Sequence, residues 1–199
     1  MENPQSINEF WFGSHPDDAI TAQQQSGLWW SKSPEIDQQI RLRFASTVEA
    51  AGTLGLDAWK TSPAGLLALV LLTDQFPRNM YRDTERAFAL DALGREYCLS
   101  GLDHGVDRKL RPIERAFFYL PLEHSESGEH QALSVQLFTQ LYQDVRTEHM
   151  DVFRGFLMYA LRHRRIIERF GRFPHRNKAL GRTSTPEEII FLQEPGSSF

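Results

Sequence analysis

Apolar residues recur at helical spacing along most of the chain. The clearest run lies between residues 33 and 52, where one apolar side chain stands at every fourth position: Ile36, Ile40, Phe44 and Val48. This spacing places all four on one face of a helix. Ser33 followed by Pro34 is a typical helix start, and Gly52 suits the end. The pattern predicts an amphipathic helix with one buried face.

A second apolar run, residues 63–73, is apolar on every side and contains the sequence Leu-Leu-Ala-Leu-Val-Leu-Leu. It stops at Asp74, well short of the about 20 residues that a membrane-spanning helix needs. A helix that is apolar all round is typical of the centre of a domain. We therefore expect a buried helix that ends at Pro77, and no association with a membrane.

Helical patterns also predict elements in the rest of the chain, and no segment shows the period-two alternation of a strand. Trp29 and Trp30 are expected in a loop, and Pro121 is expected to end a helix. The fold class predicted is all-α, with residues 1–199 forming one antiparallel array of about eight to ten helices. The further helices predicted span residues 6–13, 17–25, 83–101, 112–120, 129–145, 148–170 and 185–192.

Composition is that of an ordinary folded domain, with 41% hydrophobic and 24% charged residues. The net charge of −4 argues against nucleic acid as a partner. Cys98 is the single cysteine, which excludes an internal disulfide and fits a reducing compartment. The first residues lack the basic and apolar regions of a signal peptide. We expect a cytoplasmic protein.

Charge is distributed unevenly. Residues 154–182 contain nine lysines and arginines against one acid, a local charge of +8, whereas the rest of the chain carries −12. Eight of the nine cations are arginine, whose planar guanidinium suits buried or bidentate contacts. Either the acidic remainder folds over this segment, or an anionic ligand binds there.

Two segments repeat the same local chemistry, since Phe-Pro is followed closely by Arg-Asn in residues 74–79 and in residues 169–177. Arginine and asparagine beyond a helix end supply donors for a carboxylate or phosphate. The alternative is that they bind the free carbonyl groups of those helix ends. We predict one ligand site built from both segments. Its candidate ligand-binding residues are Asp74, Arg78, Asn79, Arg169, Arg172, His175, Arg176 and Asn177.

Candidate acid–base residues are His124 and His163. His124 is flanked by Glu123 and Glu126, which are further candidates for ligand binding and which suit a histidine that moves protons. The alternatives are an ion-pair network with the arginines, or half of a metal site, although no compact ligand spacing is present. His163 lies on an apolar helix face, so a core histidine without a chemical role is the alternative there.

Several phrases together resemble a known family, the domain-of-unknown-function family nine-twenty-four. The resemblance implies a single helical domain similar to tetratricopeptide-repeat superhelices, and it implies no activity. The phrases are Phe-Trp-Phe-Gly at 10–13, Asp-Gln-Phe-Pro-Arg-Asn-Met-Tyr-Arg at 74–82, Tyr-Leu-Pro-Leu-Glu-His-Ser-Glu at 119–126, Arg-Phe-Gly-Arg-Phe-Pro-His-Arg-Asn at 169–177 and Gly-Arg-Thr-Ser-Thr-Pro-Glu-Glu at 181–188.

Three hypotheses for function follow. The leading one is a cleft that binds a small anionic molecule, with His124 or His163 moving a proton and without a metal or cofactor. The second is an adaptor that binds a peptide on the concave face of a helical array, with aromatic residues near the N-terminus lining a groove. The third is a buried polar network that binds no ligand. The sequence does not decide the oligomeric state or whether the chain is an enzyme.

Overall fold

The protein is described by a computed structural model that covers residues 2–198, and this part contains α-helices and short turns of other helix types but no strand. The prediction of an all-α fold is therefore confirmed. The likeness to tetratricopeptide superhelices stays a prediction. The helices are α1 (Pro4–Phe12), α2 (Asp18–Trp30), α3 (Pro34–Gly52), α4 (Pro63–Val70), α5 (Phe76–Met80), α6 (Asp91–Asp103), α7 (Pro112–Glu123), α8 (Gly128–Asp144), α9 (Met150–Phe170) and α10 (Pro186–Phe191).

Helix α4 lies at the centre, and every residue from Leu66 to Pro77 is buried. It packs against α1, α6 and α7. The later helices follow one another in space, since α7 packs on α8 and α8 on α9. Side chains from α1 to α9 share the main apolar core, in which Cys98 is fully buried as a packing residue.

The expected helix end at Pro77 is wrong. A π-turn, Leu71–Gln75, joins α4 to α5, and the Phe76 N–H bonds to the carbonyl oxygen of Leu71. Proline breaks an α-helix because it lacks an N–H and its ring meets the carbonyl group four residues earlier. The wider π-turn relieves that crowding, so the chain stays helical to Met80.

Three further expectations are also wrong. The helix expected at residues 83–101 begins only at Asp91, after a short turn at Glu85–Ala87. Helix α7 continues past Pro121 to Glu123, where the His124 N–H closes the last turn on Leu120 O at 2.8 Å. Trp29 and Trp30 belong to α2 rather than to a loop. The Trp29 indole N–H donates to Trp11 O at 2.9 Å, which fixes the end of α2 against α1.

The region after α9 is built as the sequence indicates. Gly171 ends the helix with a left-handed conformation at φ 67°, which glycine adopts without steric cost. A tight turn, Pro174–Arg176, follows, and α10 then returns to α9. A small second apolar cluster joins these parts through Ile166, Ile167, Phe173 and Phe191.

No helix in residues 2–198 combines the length and the apolar character that crossing a bilayer requires.

Gly65 provides a test of the packing around α4. A Cβ atom added there would overlap the carbonyl oxygen of Trp59, a backbone atom that cannot move aside easily. We expect Gly65→Ala to lower the free energy of unfolding by about 1–3 kcal/mol, as overpacking does. The matched control is Gly155, a helical glycine with open space around it. Gly155→Ala should raise the free energy of unfolding by about 0.5–1 kcal/mol.

Urea denaturation of both variants beside the wild type measures these changes. A Gly65→Ala protein as stable as the Gly155→Ala protein would show that α4 is not closely packed against the backbone of Trp59.

Candidate functional site

The candidate site is organised around the Asp74 carboxylate, which is fully buried on the π-turn. Its oxygens lie 2.8 and 2.9 Å from Nδ1 of His124. Arg78 approaches Oδ1 at 3.2 Å, and the Gln75 amide donates to Oδ2 at 2.5 Å. Burial raises the pKa of Asp74, but the charge of Arg78 and the interactions with His124 outweigh burial and hold that pKa well below its usual range. Asp74 is therefore ionised.

The two Phe-Pro segments meet at a second carboxylate, Asp91, at the start of α6. Arg78 donates to Oδ1 at 2.9 Å and to Oδ2 at 3.1 Å, and it also donates to the backbone carbonyl of Asp74 at 2.5 Å. Nη1 of Arg176 lies 3.5 Å from the same Oδ2. The half-buried ring of Phe88 lies against both guanidinium groups, at 5.7 Å from Arg78 and 4.8 Å from Arg176.

His124 caps α7 and is partly accessible, with 14% of its side chain exposed. Because ionised Asp74 can only accept hydrogen bonds, Nδ1 of His124 carries the hydrogen and Nε2 carries the lone pair. Within residues 2–198, Nε2 makes no hydrogen bond. Burial, and next the charge of Arg78, lower the pKa of His124, so the ring is neutral near pH 7. A buried carboxylate that fixes the tautomer is the usual arrangement for a histidine that transfers protons.

A second pair, Glu123 and His163, lies behind the first. Both are almost fully buried, and Nδ1 of His163 is 3.0 Å from Oε1 of Glu123 and 2.9 Å from Tyr159 O. The rings of His163 and His124 are 6.0 Å apart between centroids. Burial, with the nearby charge of Asp74 adding to it, raises the pKa of Glu123 well above its usual value, and burial lowers that of His163. Burial thus favours the uncharged forms of both side chains.

His175 is a third partly exposed side chain of the cluster, besides Arg78 and His124. Its ring lies 5.7 Å from that of Phe173, which in turn lies 5.4 Å from the ring of His163. Burial, and next the charge of Arg176, lower the pKa of His175 to about 3. The partly exposed residues of the cluster are Arg78, His124 and His175. We call these three side chains the mouth of the cluster, whose carboxyl groups, Asp74, Asp91 and Glu123, are buried.

Three of the predicted ligand-binding residues lie outside this cluster and hold α10 in place. Each pairs with an acid of α10 or with the turn before it. Arg169 bonds to Glu187 at 2.9 Å, Arg172 bonds to both oxygens of Glu188 at 2.6 and 2.8 Å, and Asn177 bonds to Ser184 at 3.0 Å and to Glu188 at 3.2 Å.

Two others also have structural partners. The Glu126 carboxylate accepts from the Phe173 N–H at 2.8 Å and from Arg182 at 2.7 and 2.9 Å, which ties the α7–α8 connection to the turn after α9. Asn79 points away from the cluster and donates to Asp37 of α3 at 3.0 Å. The structure thus brings together Asp74, Arg78, Glu123, His124, His163, His175 and Arg176, and not the remaining candidates.

Sequence reasoning missed Asp91 and Phe88. Asp91 looks like an ordinary acidic residue in the first turn of a helix, and Phe88 lies in an irregular turn. The only available signal was indirect, because two buried arginines require an acid near them. In the part of the chain that is described, no group of three or more histidine, cysteine or acidic side chains is arranged to hold a metal ion.

The lowered pKa of His175 predicts a loss of stability in mild acid. The unfolded chain binds a proton there below about pH 6.5, whereas the folded protein does not until about pH 3. The free energy of unfolding therefore falls as the pH falls below 6.5, by up to about 2 kcal/mol at pH 5 from this residue. His175→Gln should remove that part of the acid loss, as measured by urea denaturation at pH 8 and pH 5.

His104→Gln is the matched control, because this histidine is exposed. It should leave the difference between the two pH values unchanged. An equal acid loss in wild type and His175→Gln would contradict the neutral state of His175.

Comparison with known proteins agrees with the resemblance noted in the sequence. Residues 7–196 match the family described as "Bacterial protein of unknown function (DUF924)". A solved structure of a protein of unknown function from Agrobacterium tumefaciens is 35% identical, covers 89% of this chain and 99% of its own, and superposes with a TM-score of 0.75. No curated protein matches the chain. The chain belongs to the DUF924 family, whose function is unknown.

Proposed function

We propose that the protein binds a small anionic molecule, a carboxylate or a phosphate, at the mouth formed by Arg78, His124 and His175, and that His124 transfers a proton to or from it. The observation that carries the proposal is the state of Arg176. This side chain is only 6% exposed, yet within residues 2–198 its guanidinium donates no hydrogen bond.

A buried arginine normally pairs closely with an acid, because an unpaired buried charge is costly. Arg176 instead lies against two rings, with the guanidinium carbon 4.4 Å from the Phe173 centroid and 4.8 Å from that of Phe88. Its nearest acid, Asp91, is already held by two bonds from Arg78. Burial, and next the like charge of Arg78, lower the pKa of Arg176 to about 10. An anion at the mouth would supply the close hydrogen-bond partner that Arg176 lacks.

Four other arginines of residues 154–182 differ from Arg176 in their hydrogen bonds to acids. Arg172 and Arg182 each bind a carboxylate with two bonds, and Arg164 and Arg169 each bind one with a single bond. The local charge of +8 is thus answered largely by acids of the chain itself. Arg176 differs from these four arginines because it is buried and donates no hydrogen bond to a carboxylate within residues 2–198, and its charge acts on His124.

The pair of Asp74 and His124 supports proton transfer. Nδ1 is fixed by the carboxylate, and Nε2 lies on a partly exposed ring beside two cations. A neutral imidazole in this setting can take up a proton, and the imidazolium that forms is stabilised by Asp74 and can pass the proton to a bound molecule. A cytoplasmic location agrees with the single, buried cysteine Cys98.

The residues on which the adaptor hypothesis relies are mostly inside the protein. Trp11, Phe12 and Trp29 are buried in the core, and the exposed Trp30 stacks on Phe117 at 5.9 Å. These aromatic residues therefore do not supply a peptide groove, and no observation favours an adaptor over a small-molecule site.

Replacing Arg176 by glutamine tests anion binding. In the wild type, sulfate or a dicarboxylate should raise the melting temperature by mass action, since the anion binds only the folded protein. In Arg176→Gln this increase should be absent. Because Arg176 makes only one long contact with an acid, its loss in the absence of anion should cost less than the about 3–5 kcal/mol seen when a tight buried pair is broken.

Arg169→Gln is the control, since Arg169 bonds to Glu187 at the surface outside the cluster. It should keep the full anion effect. A wild-type melting temperature that does not respond to any anion, together with a large loss in Arg176→Gln, would instead establish a purely structural network.

A further inference from the structure

The cluster contains as many carboxyl groups paired with arginines as it contains arginines. Two guanidinium groups, Arg78 and Arg176, lie against two carboxyl groups, those of Asp74 and Asp91. The remaining carboxyl group, Glu123, is buried beside an imidazole, and no arginine or lysine of residues 2–198 lies within ion-pair distance of it. An anion that entered this site would therefore leave an excess negative charge in a largely water-excluded place, which is unfavourable.

We propose that the site takes up its anionic ligand together with a proton, which is held on Nε2 of His124. This inference rests on the proposed function, because it describes how the same site binds its ligand. The imidazolium would offset one negative charge of the bound anion. It would also place an acidic N–H beside the bound anion, so that the first proton transfer goes from His124 to the ligand.

His124 is the group best placed to hold this proton. Its Nδ1–H already bonds to the Asp74 carboxylate, so a charge on the ring gains a direct counter-ion at 2.8 Å. Its ring is partly exposed, so the proton can arrive from solvent. In the empty site, burial and the charges of Arg78 and Arg176 keep the ring neutral, and a bound anion would offset both charges.

The other titratable groups that face His124 are less suited. His163, on α9, is almost fully buried, and its Nδ1 already faces Tyr159 O and Glu123. His175, on the turn after α9, lies next in sequence to Arg176, whose charge opposes a proton there. Burial raises the pKa of Glu123 and so favours its protonated form, which leaves it without a site for a further proton.

This proton uptake restricts the chemical class of the ligand. A molecule that binds as an anion and receives a proton must carry a proton-accepting atom, such as a carbonyl, ether or leaving-group oxygen, close to its carboxylate or phosphate. A simple cationic or neutral metabolite does not meet this requirement, because it offers Arg176 no anionic hydrogen-bond acceptor.

Calorimetric titration with sulfate tests the proposal, since sulfate itself does not titrate near neutral pH. Heats are measured at pH 7.5 in buffers of different ionisation enthalpy, which gives the number of protons taken up with each anion. The wild type should take up about one proton per sulfate, and its affinity should weaken by up to about tenfold per pH unit as the pH rises. His104→Gln should behave as the wild type does.

His124→Gln should still bind sulfate at Arg176, more weakly and without proton uptake. If this variant does not fold, ¹⁵N NMR of the wild-type histidines serves instead, and sulfate should convert His124 from the neutral ring to the imidazolium. Sulfate binding by the wild type without proton uptake, or with uptake unaltered in His124→Gln, overturns the inference and leaves the anion site intact. No sulfate binding by the wild type overturns the proposed function and this inference with it.

Discussion

The need to stabilise one carboxylate that water does not reach determines much of this structure. Removing an ionised group from water costs several kcal/mol, and Asp74 meets that cost with an arginine, a histidine and an amide. Arg78 in turn requires Asp91, and Asp91 brings Arg176 to the same place. Each of these polar groups thus serves as a partner for the one before it. The series ends at Arg176, which has only one long contact with an acid.

The same requirement explains why distant parts of the chain meet. The π-turn supplies Asp74, the end of α7 supplies His124, the start of α6 supplies Asp91, and the turn after α9 supplies Arg176. Glu126 and α10 hold that last turn in position through Arg182 and the two α10 acids. The outer ion pairs fix the geometry, and the inner ones surround His124.

The sequence predicted the helical fold and the meeting of its two Phe-Pro segments, because helical periodicity and charge imbalance are both local signals. Ser33 with Pro34 and the glycine at 171 were reliable helix ends. Pro77 and Pro121 were misleading, since the rule that proline ends a helix depends on neighbours that the sequence does not display. The sequence also does not show that Arg78 bonds to α6 whereas Asn79 bonds to α3. This difference depends on the rotation of α5 about its axis.

The rotation of α5 depends on the number of residues in the π-turn before it. The π-turn contains one more residue than an α-helical turn would, and each residue of a helix turns the next by about 100°. Removing a single residue between 71 and 75 would restore the regular register but swing Arg78 away from Asp91, although every charged side chain would still be present. The number of residues in this segment is therefore constrained as strictly as their identity, and insertions or deletions are accommodated at less cost in the surface connections between helices.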